Sequence, residues 1–175
     1  MTDVYFVRHG ESTANRDKIC AGHTDVELTE LGIEQANQAG DELAAEKISI
    51  DIIISSPLQR ALKTAYQIAD KIGYDKDKIV ISNNAIERFR GDYEGQPSSM
   101  QDGVTDEDYL RMGAESVDQL VHRAHALRDE IGRLGIQSVL VVSHNQFGCI
   151  FVAISRNETP TAELNKIPNA HVFKV

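Results

Sequence analysis

The chain has 175 residues, 41% of them hydrophobic, which is the size of one domain with enough apolar material for a core and excludes an intrinsically disordered chain. Its 18 basic and 27 acidic side chains give a net charge of −9, which argues against nucleic acid or an anionic membrane as a partner. The two cysteines, Cys20 and Cys149, exclude a disulfide scaffold and indicate reduced thiols.

Short runs of β-branched residues predict the strands of a sheet. The first, residues 4–7, ends at Arg8 and is too short for a secretory signal or a membrane span, so we expect a cytoplasmic protein. Similar runs follow at residues 52–54, 79–81 and 139–142, with a weaker candidate at 171–175. Because polar residues do not alternate within them, we expect both faces of these strands to be covered.

Helical patterns lie between the runs. One helix is predicted to begin at Thr29 and to turn four residues toward the sheet: Ala36, Ala39, Gly40 and Leu43. A second is predicted to follow Ser56 as N-cap, with Pro57 in the first helical position, and to end at Gly73.

A third helix is predicted to begin at Ser116, which stands in capping-box spacing with Gln119, and to end at Gly135. The irregular stretch 94–115 before it predicts a loop or a short helix near the active site. Within that stretch the acid-rich residues 102–108 predict a solvent-facing loop or a lid.

Strands that alternate with helices predict an α/β fold for the whole chain. We expect residues 1–175 to form one three-layer domain, a mostly parallel central sheet flanked by helices. In such sheets ligands bind at the carboxyl ends of the strands. The residues that follow the predicted strands are rich in basic and acidic side chains: Arg8, His9, Arg60, Glu87, Arg88, Arg90 and His144.

This set of side chains predicts phosphate chemistry. Guanidinium groups bind phosphate oxygens, and one imidazole can attack phosphorus while the other stabilises the charged oxygens, without a metal ion or another cofactor. The attacking imidazole needs its other nitrogen held by a hydrogen bond, for which the carbonyl of Gly10 is a candidate acceptor. Glu87 is the best candidate for the general acid, a role that requires its pKa to be raised near the phosphate, and Glu11 and Glu94 are its rivals.

Three motifs in this order resemble the histidine phosphatase superfamily, the phosphoglycerate-mutase-like proteins: RHGE at residues 8–11, SSPLQRA at 55–61 and VSH at 142–144. Further matches run from Asn15 to Asn169, so the resemblance spans nearly the whole chain.

The resemblance implies that His9 is the phosphorylated nucleophile and Glu87 the proton donor. It implies that the phosphoryl group is held by Arg8, Asn15, Arg60 and His144. We expect Arg88, with Arg90, to bind charged groups of the substrate. The chain departs from the family in having Asn145 where glycine commonly follows the second histidine, which affects the turn and its backbone donor.

The predicted function is a phosphomonoester phosphatase that acts on a small phosphorylated metabolite through a phosphohistidine. The alternative is a phosphoglycerate-type phosphomutase, which shares the catalytic residues. We disfavour the mutase because Arg111 is the only basic residue between Gly95 and Glu115, where mutases of the family carry a longer basic insertion. A non-catalytic phosphate-binding protein is the alternative from another class, and Asn145 alone supports it.

Several substrates stay open at this point: sugar phosphates, phosphoglycerates, the nucleotide-loop phosphate of cobamide synthesis and protein phosphohistidine. His122 and His125, with Asp118 and Asp129, are interpreted as a solvated helix face rather than a metal site. The oligomeric state is also open, a homodimer included.

Overall fold

Five strands form the sheet in the computed structural model, which describes residues 2–160 and 166–175. They are β1 (Asp3–Arg8), β2 (Ile52–Ser55), β3 (Val80–Ile81), β4 (Ser138–Ser143) and β5 (Val172–Lys174). The strand order is β3-β2-β4-β1-β5, with β5 antiparallel to β1 and the other neighbours parallel. The mostly parallel sheet predicted from the sequence is confirmed.

Helices cover both faces of the sheet. They are α1 (Thr13–Asp17), α2 (Glu30–Ala45), α3 (Gln59–Ile72), α4 (Asp106–Arg111), α5 (Val117–Arg133) and α6 (Asn145–Ser155). Short 3-10 helices lie at Lys76–Lys78, Asn83–Ala85, Gly91–Tyr93 and Ser98–Gln101. No helix in the described part of the chain is long and apolar enough to cross a membrane.

The central strands contribute to two cores because successive side chains point to opposite faces. Phe6 and Val141 pack with α5 and α6, whereas Val7 and Val142 pack with α2 and α3. These strands are covered on both faces, as predicted. The same prediction is wrong for β3, where both residues are exposed because this two-residue strand lies at the edge of the sheet.

The predicted starts of α2 and α5 are confirmed. Thr29 caps α2, and Ser116 forms a capping box with Gln119 at the start of α5. The predicted start of α3 is wrong: the helix begins at Gln59, and Leu58 is its N-cap without a side-chain bond. Ser56 instead places its hydroxyl 2.7 Å from a histidine nitrogen in the site described below.

Two regions differ from their sequence predictions. Residues 102–108 do not form a loop throughout, because Thr105 and Asp108 form a capping box that starts α4. The carboxylate of Asp106 is hydrogen bonded to the guanidinium of Arg88. Helix α6 was not predicted, since its largely apolar sequence lacks the polar face that marks an amphipathic helix.

Two glycines allow the loop after β1 to lie against the first turn of α2. A Cβ on Gly10 would lie 2.2 Å from the carbonyl oxygen of Gly32, and a Cβ on Gly32 would lie 2.0 Å from that of Glu11. The backbone N–H of Thr29 donates to the same Glu11 oxygen at 2.9 Å. Helix α2 therefore sets the position of the loop that carries the first histidine.

Gly32→Ala is expected to lower the free energy of unfolding by roughly 1–3 kcal/mol, because the added methyl group overlaps rigid backbone. Gly132 in α5 is the matched control, since a Cβ there meets nothing within 4 Å. Gly132→Ala is expected to raise stability by up to about 1 kcal/mol. Urea denaturation measures both, and equal effects of the two substitutions would contradict the close approach.

Candidate active site

The parallel pair β1 and β4 brings two histidines together. Arg8 pairs with Ser143 in the strand register, and the N–H of His9 donates to the carbonyl of Ser143 at 3.0 Å. The rings of His9 and His144 consequently lie 5.2 Å apart, centroid to centroid. A pocket of about 160 Å³ lies beside His9, and five predicted site residues line it: Arg8, His9, Asn15, Arg60 and Glu87. His144 has no exposed surface and is not part of this lining.

His9 is held in one tautomer. Its Nδ1 lies 2.7 Å from the carbonyl oxygen of Gly10, the candidate acceptor named above, and because a carbonyl only accepts, Nδ1 carries the hydrogen. The N–H of Gly10 in turn donates to Thr64 at 3.0 Å, and the Asn169 amide donates to the carbonyl of His9 at 2.8 Å. In the neutral ring Nε2 is left unprotonated, which is the state that a nucleophile needs.

Both histidines have pKa values well below 6.5. Burial lowers the pKa of His9, and His144, Arg60 and Arg8 lower it further against the opposing Gly10 hydrogen bond. Burial is also the largest cause for His144, followed by the charges of Arg60 and Arg8. Both imidazoles are therefore neutral at pH 7.

Two buried nitrogens at this site have no partner among the described residues: Nε of Arg8 and Nδ1 of His144. Elsewhere on these side chains, the Arg8 guanidinium donates to the carbonyl of Ile167 at 2.8 Å, and Nε2 of His144 contacts Ser56. An unpaired buried polar group costs about 1–3 kcal/mol, so such groups mark the place where a ligand supplies the missing bond.

Arg60 both lines the pocket and organises its wall. Its guanidinium donates to the carbonyls of Ala21, Gly22 and Thr24 at 2.8–3.0 Å. Glu94 holds the same segment by accepting from the N–H groups of His23 and Thr24, both at 2.7 Å. This function of Glu94 was not predicted, because the sequence spacing of about 70 residues hides the contact.

Glu87 also lines the pocket, where its neighbours favour the ionised carboxylate. Burial raises the pKa of its carboxyl group, yet the charges of Arg90 and Arg60 and hydrogen bonds from two backbone N–H groups outweigh burial and lower the pKa below 4.5. Those donors are Arg88 at 2.8 Å and Phe147, in the first turn of α6, at 3.0 Å. The arginines and the backbone donors thus favour the carboxylate form of Glu87, and the rise in pKa that a general acid needs near a phosphate stays a prediction.

The two arginines after Glu87 have different surroundings. Arg88 lies away from the pocket: its guanidinium bonds to the carbonyl of Glu115 at 2.6 Å and lies 4.0 Å from the ring centroid of Tyr109. These contacts do not support the prediction that Arg88 binds substrate. Arg90 lines the pocket instead, held by Gln101 and the Tyr109 hydroxyl, both at 3.0 Å.

Asn145 fits the position where the family commonly has glycine. It is the first residue of α6 and does not have positive φ, so no strain arises from its side chain. Its Oδ1 accepts from the N–H of Ile167 at 2.8 Å. His122 and His125 are exposed on α5, and no group of metal-ligating side chains occurs among the described residues.

Comparison with known proteins identifies the class to which this fold and site belong. Residues 4–175 match the model of the histidine phosphatase superfamily (branch 1), and the chain belongs to this superfamily. It is 30% identical to phosphoglycerate mutase-like protein 4 of Arabidopsis thaliana, over 97% of this chain and 77% of that protein.

Solved structures of phosphatases share the fold. One is phosphoserine phosphatase from Entamoeba histolytica in complex with 3-phosphoglyceric acid, with a TM-score of 0.81, 26% identity and coverage of 99% of this chain and 90% of that one. Another is a mycobacterial glucosyl-3-phosphoglycerate phosphatase with VO3, with a TM-score of 0.82, 23% identity and coverage of 99% and 92%. Similar proteins thus include both phosphatases and a mutase-like protein.

The lowered histidine pKa values predict acid sensitivity of the fold. Histidine in the unfolded chain titrates near pH 6.5, so below about this pH the unfolded state binds more protons than the folded state. Stability is therefore full above about pH 6.5 and falls below it, by up to about 1.4 kcal/mol per pH unit for each of His9 and His144. His9→Gln is expected to lose one of these two contributions. Urea denaturation between about pH 5 and 7.5 measures the slope, and equal slopes for both proteins would contradict the lowered pKa of His9.

Proposed function

We propose that this protein is a phosphomonoester phosphatase that acts on a small phosphorylated metabolite through a phosphohistidine intermediate. The observation that carries the proposal is the neutral His9, whose Nδ1 is fixed by the Gly10 carbonyl beside a pocket lined by Arg8 and Arg60. We also propose that residues 1–175 act as one catalytic domain in the cytoplasm, without a metal ion or another cofactor.

In the first step, Nε2 of His9 attacks the phosphorus atom of the substrate. The N–P bond forms as the bond between phosphorus and the leaving oxygen breaks. Arg8, Arg60, Asn15 and His144 hold the phosphoryl oxygens and stabilise their charge. Asn15 uses its Oδ1 to accept from the N–H of Ser12 at 3.2 Å, so its NH₂ group is the part that faces a phosphate.

Glu87 supplies the proton that the leaving oxygen needs. Its carboxyl group has a low pKa among the arginines, and a bound phosphate dianion opposes that effect because a nearby like charge disfavours ionisation. Substrate binding thus favours the protonated acid. In the second step the Glu87 carboxylate takes a proton from water, the oxygen of which attacks phosphorus. The P–N bond breaks and releases phosphate with neutral His9.

The residues that line the pocket favour hydrolysis of the phosphohistidine over transfer of its phosphoryl group back to a retained intermediate. A mutase must retain an intermediate with a second anionic end, which requires further cations. Among the described residues that line the pocket, Arg90 is the one further arginine or lysine beyond Arg8 and Arg60. Ser98 and Gln101 on the same lining are neutral. Arg111, the basic residue of the 94–115 stretch, is exposed and paired with two carboxylates of its own helix.

One observation favours the mutase as the second candidate. An adjoining cavity of about 420 Å³ shares Arg8 and Asn15 with the pocket and adds Lys18 and Lys166. These lysines provide positive charge for a second anionic group of a substrate or an intermediate. The candidate substrates therefore include phosphomonoesters with a second anion, such as phosphoserine and the phosphoglycerates.

A phosphomonoester panel compared between wild type and His9→Ala tests the function. The panel contains p-nitrophenyl phosphate, phosphoserine, glucosyl-3-phosphoglycerate and 3-phosphoglycerate with its bisphosphorylated primer, and the assay follows phosphate release and isomer formation. We expect phosphate from wild type, none from His9→Ala and no change on addition of EDTA. Isomer formation without net phosphate would favour the mutase, and full activity in His9→Ala would refute His9 as nucleophile.

Replacement of Glu87 tests the general acid. Glu87→Gln is expected to slow phosphoserine hydrolysis by roughly 10²-fold or more, since an alkoxide cannot leave without a proton. The rate with p-nitrophenyl phosphate should fall much less, because nitrophenolate leaves unprotonated. Glu11→Gln is the control, as Glu11 bonds to Thr29 at 2.8 Å outside the pocket lining. Equal losses on both substrates in Glu87→Gln would rule out proton donation.

A further inference from the structure

We propose that Ser56 is a positioning residue that fixes the tautomer of His144, so that the Nδ1–H of His144 is the donor presented to the phosphoryl group. The kinetic consequence rests on the function proposed above. The tautomer itself is a property of the resting protein and can be measured without turnover.

The Ser56 hydroxyl and the imidazole of His144 form a hydrogen-bonded pair that is shielded from solvent. Ser56 Oγ lies 2.7 Å from Nε2 of His144, and both residues have no exposed surface. Ser56 Oγ also accepts from the N–H of Leu58 at 3.3 Å. In the described part of the chain no other acceptor lies within reach of the Ser56 hydroxyl hydrogen, so this hydrogen goes to Nε2.

The direction of this bond decides the chemistry of the other ring nitrogen. When Nε2 accepts, a neutral imidazole carries its hydrogen on Nδ1. Nδ1 of His144 is buried and has no partner among the described residues, and its ring lies 5.2 Å from the ring of His9. A phosphoryl group on or near His9 provides an acceptor for this hydrogen and for the unpaired Nε–H of Arg8.

Two effects disfavour the opposite tautomer of His144, in which the hydrogen is on Nε2. With hydrogen on Nε2, the Ser56 oxygen would receive two donors while its own hydrogen lacked an acceptor, which is unfavourable in a buried site. Nδ1 would then present a lone pair to the phosphoryl oxygens and repel them.

The backbone holds the serine in place. The N–H of Ser56 donates to the carbonyl of Val142 at 3.0 Å, two residues before His144. The hydroxyl of Ser143 donates to the carbonyl of Ala85 at 2.6 Å. The first bond joins the ends of β2 and β4 next to the serine and the histidine, and the second ties the end of β4 to the 3-10 helix at Asn83–Ala85. Such support keeps a catalytic group in one geometry.

Nitrogen NMR of histidine-labelled protein tests the tautomer directly. In wild type we expect His144, identified by the loss of its signals in His144→Gln, to show a protonated Nδ1 and an unprotonated Nε2. In Ser56→Ala we expect hydrogen on Nε2 in a large fraction of molecules. A protonated Nε2 in resting wild type would overturn the proposal, even if Ser56→Ala failed to fold.

Kinetics with p-nitrophenyl phosphate test the consequence. We expect kcat/KM of Ser56→Ala to fall roughly ten- to a hundredfold and Ser56→Thr, which keeps the hydroxyl, to recover most of it. Ser138→Ala is the matched control, because the buried Ser138 hydroxyl, at the far end of β4, donates to the carbonyl of Ser49 at 2.7 Å and not to a histidine. It should keep the wild-type tautomer of His144.

The outcomes separate the two proposals. No turnover by wild type on any phosphomonoester would refute the phosphatase function, while the NMR result would still decide the tautomer. A wild-type rate in Ser56→Ala with a changed His144 tautomer would overturn the positioning role and leave the phosphatase function standing.

Discussion

The parallel pairing of β1 with β4 is the constraint on which the site depends. Parallel strands end at the same edge of a sheet, and the register of Arg8 with Ser143 makes the next residues, His9 and His144, neighbours. Burial, together with the charges of Arg60 and Arg8, lowers the pKa of both imidazoles, so both stay neutral near pH 7. The strand pairing thus sets both the geometry and the protonation of the site.

A second constraint is local positive charge in a chain with a net charge of −9. Arg8 and Arg60 are buried and donate mainly to backbone carbonyls, which orient the guanidinium groups without neutralising them. Glu87 supplies one negative charge nearby, and it is held by the backbone N–H of Arg88 and by that of Phe147 at the start of α6. The remaining positive charge favours an anion in the pocket, and it also explains the low pKa of Glu87.

Local pattern predicted much of the fold and failed where tertiary contacts override it. Thr29 and Ser116 cap their helices as predicted, because a side-chain cap depends only on residues within one turn. Ser56 has the same chemistry but bonds to a histidine 88 residues away. Arg88 and Arg90 are neighbours in sequence, yet Arg88 bonds to Asp106 and Glu115 while Arg90 lines the pocket.

The sequence by itself determined the class of fold, the order of the strands along the chain and the set of side chains at their ends, since apolar runs, helix caps and motif order are local properties. Only the tertiary structure decided which of those side chains share a pocket, because packing decides which way each one turns. It also decided the protonation of His9, His144 and Glu87, because a pKa depends on burial and on charges brought together from distant parts of the chain.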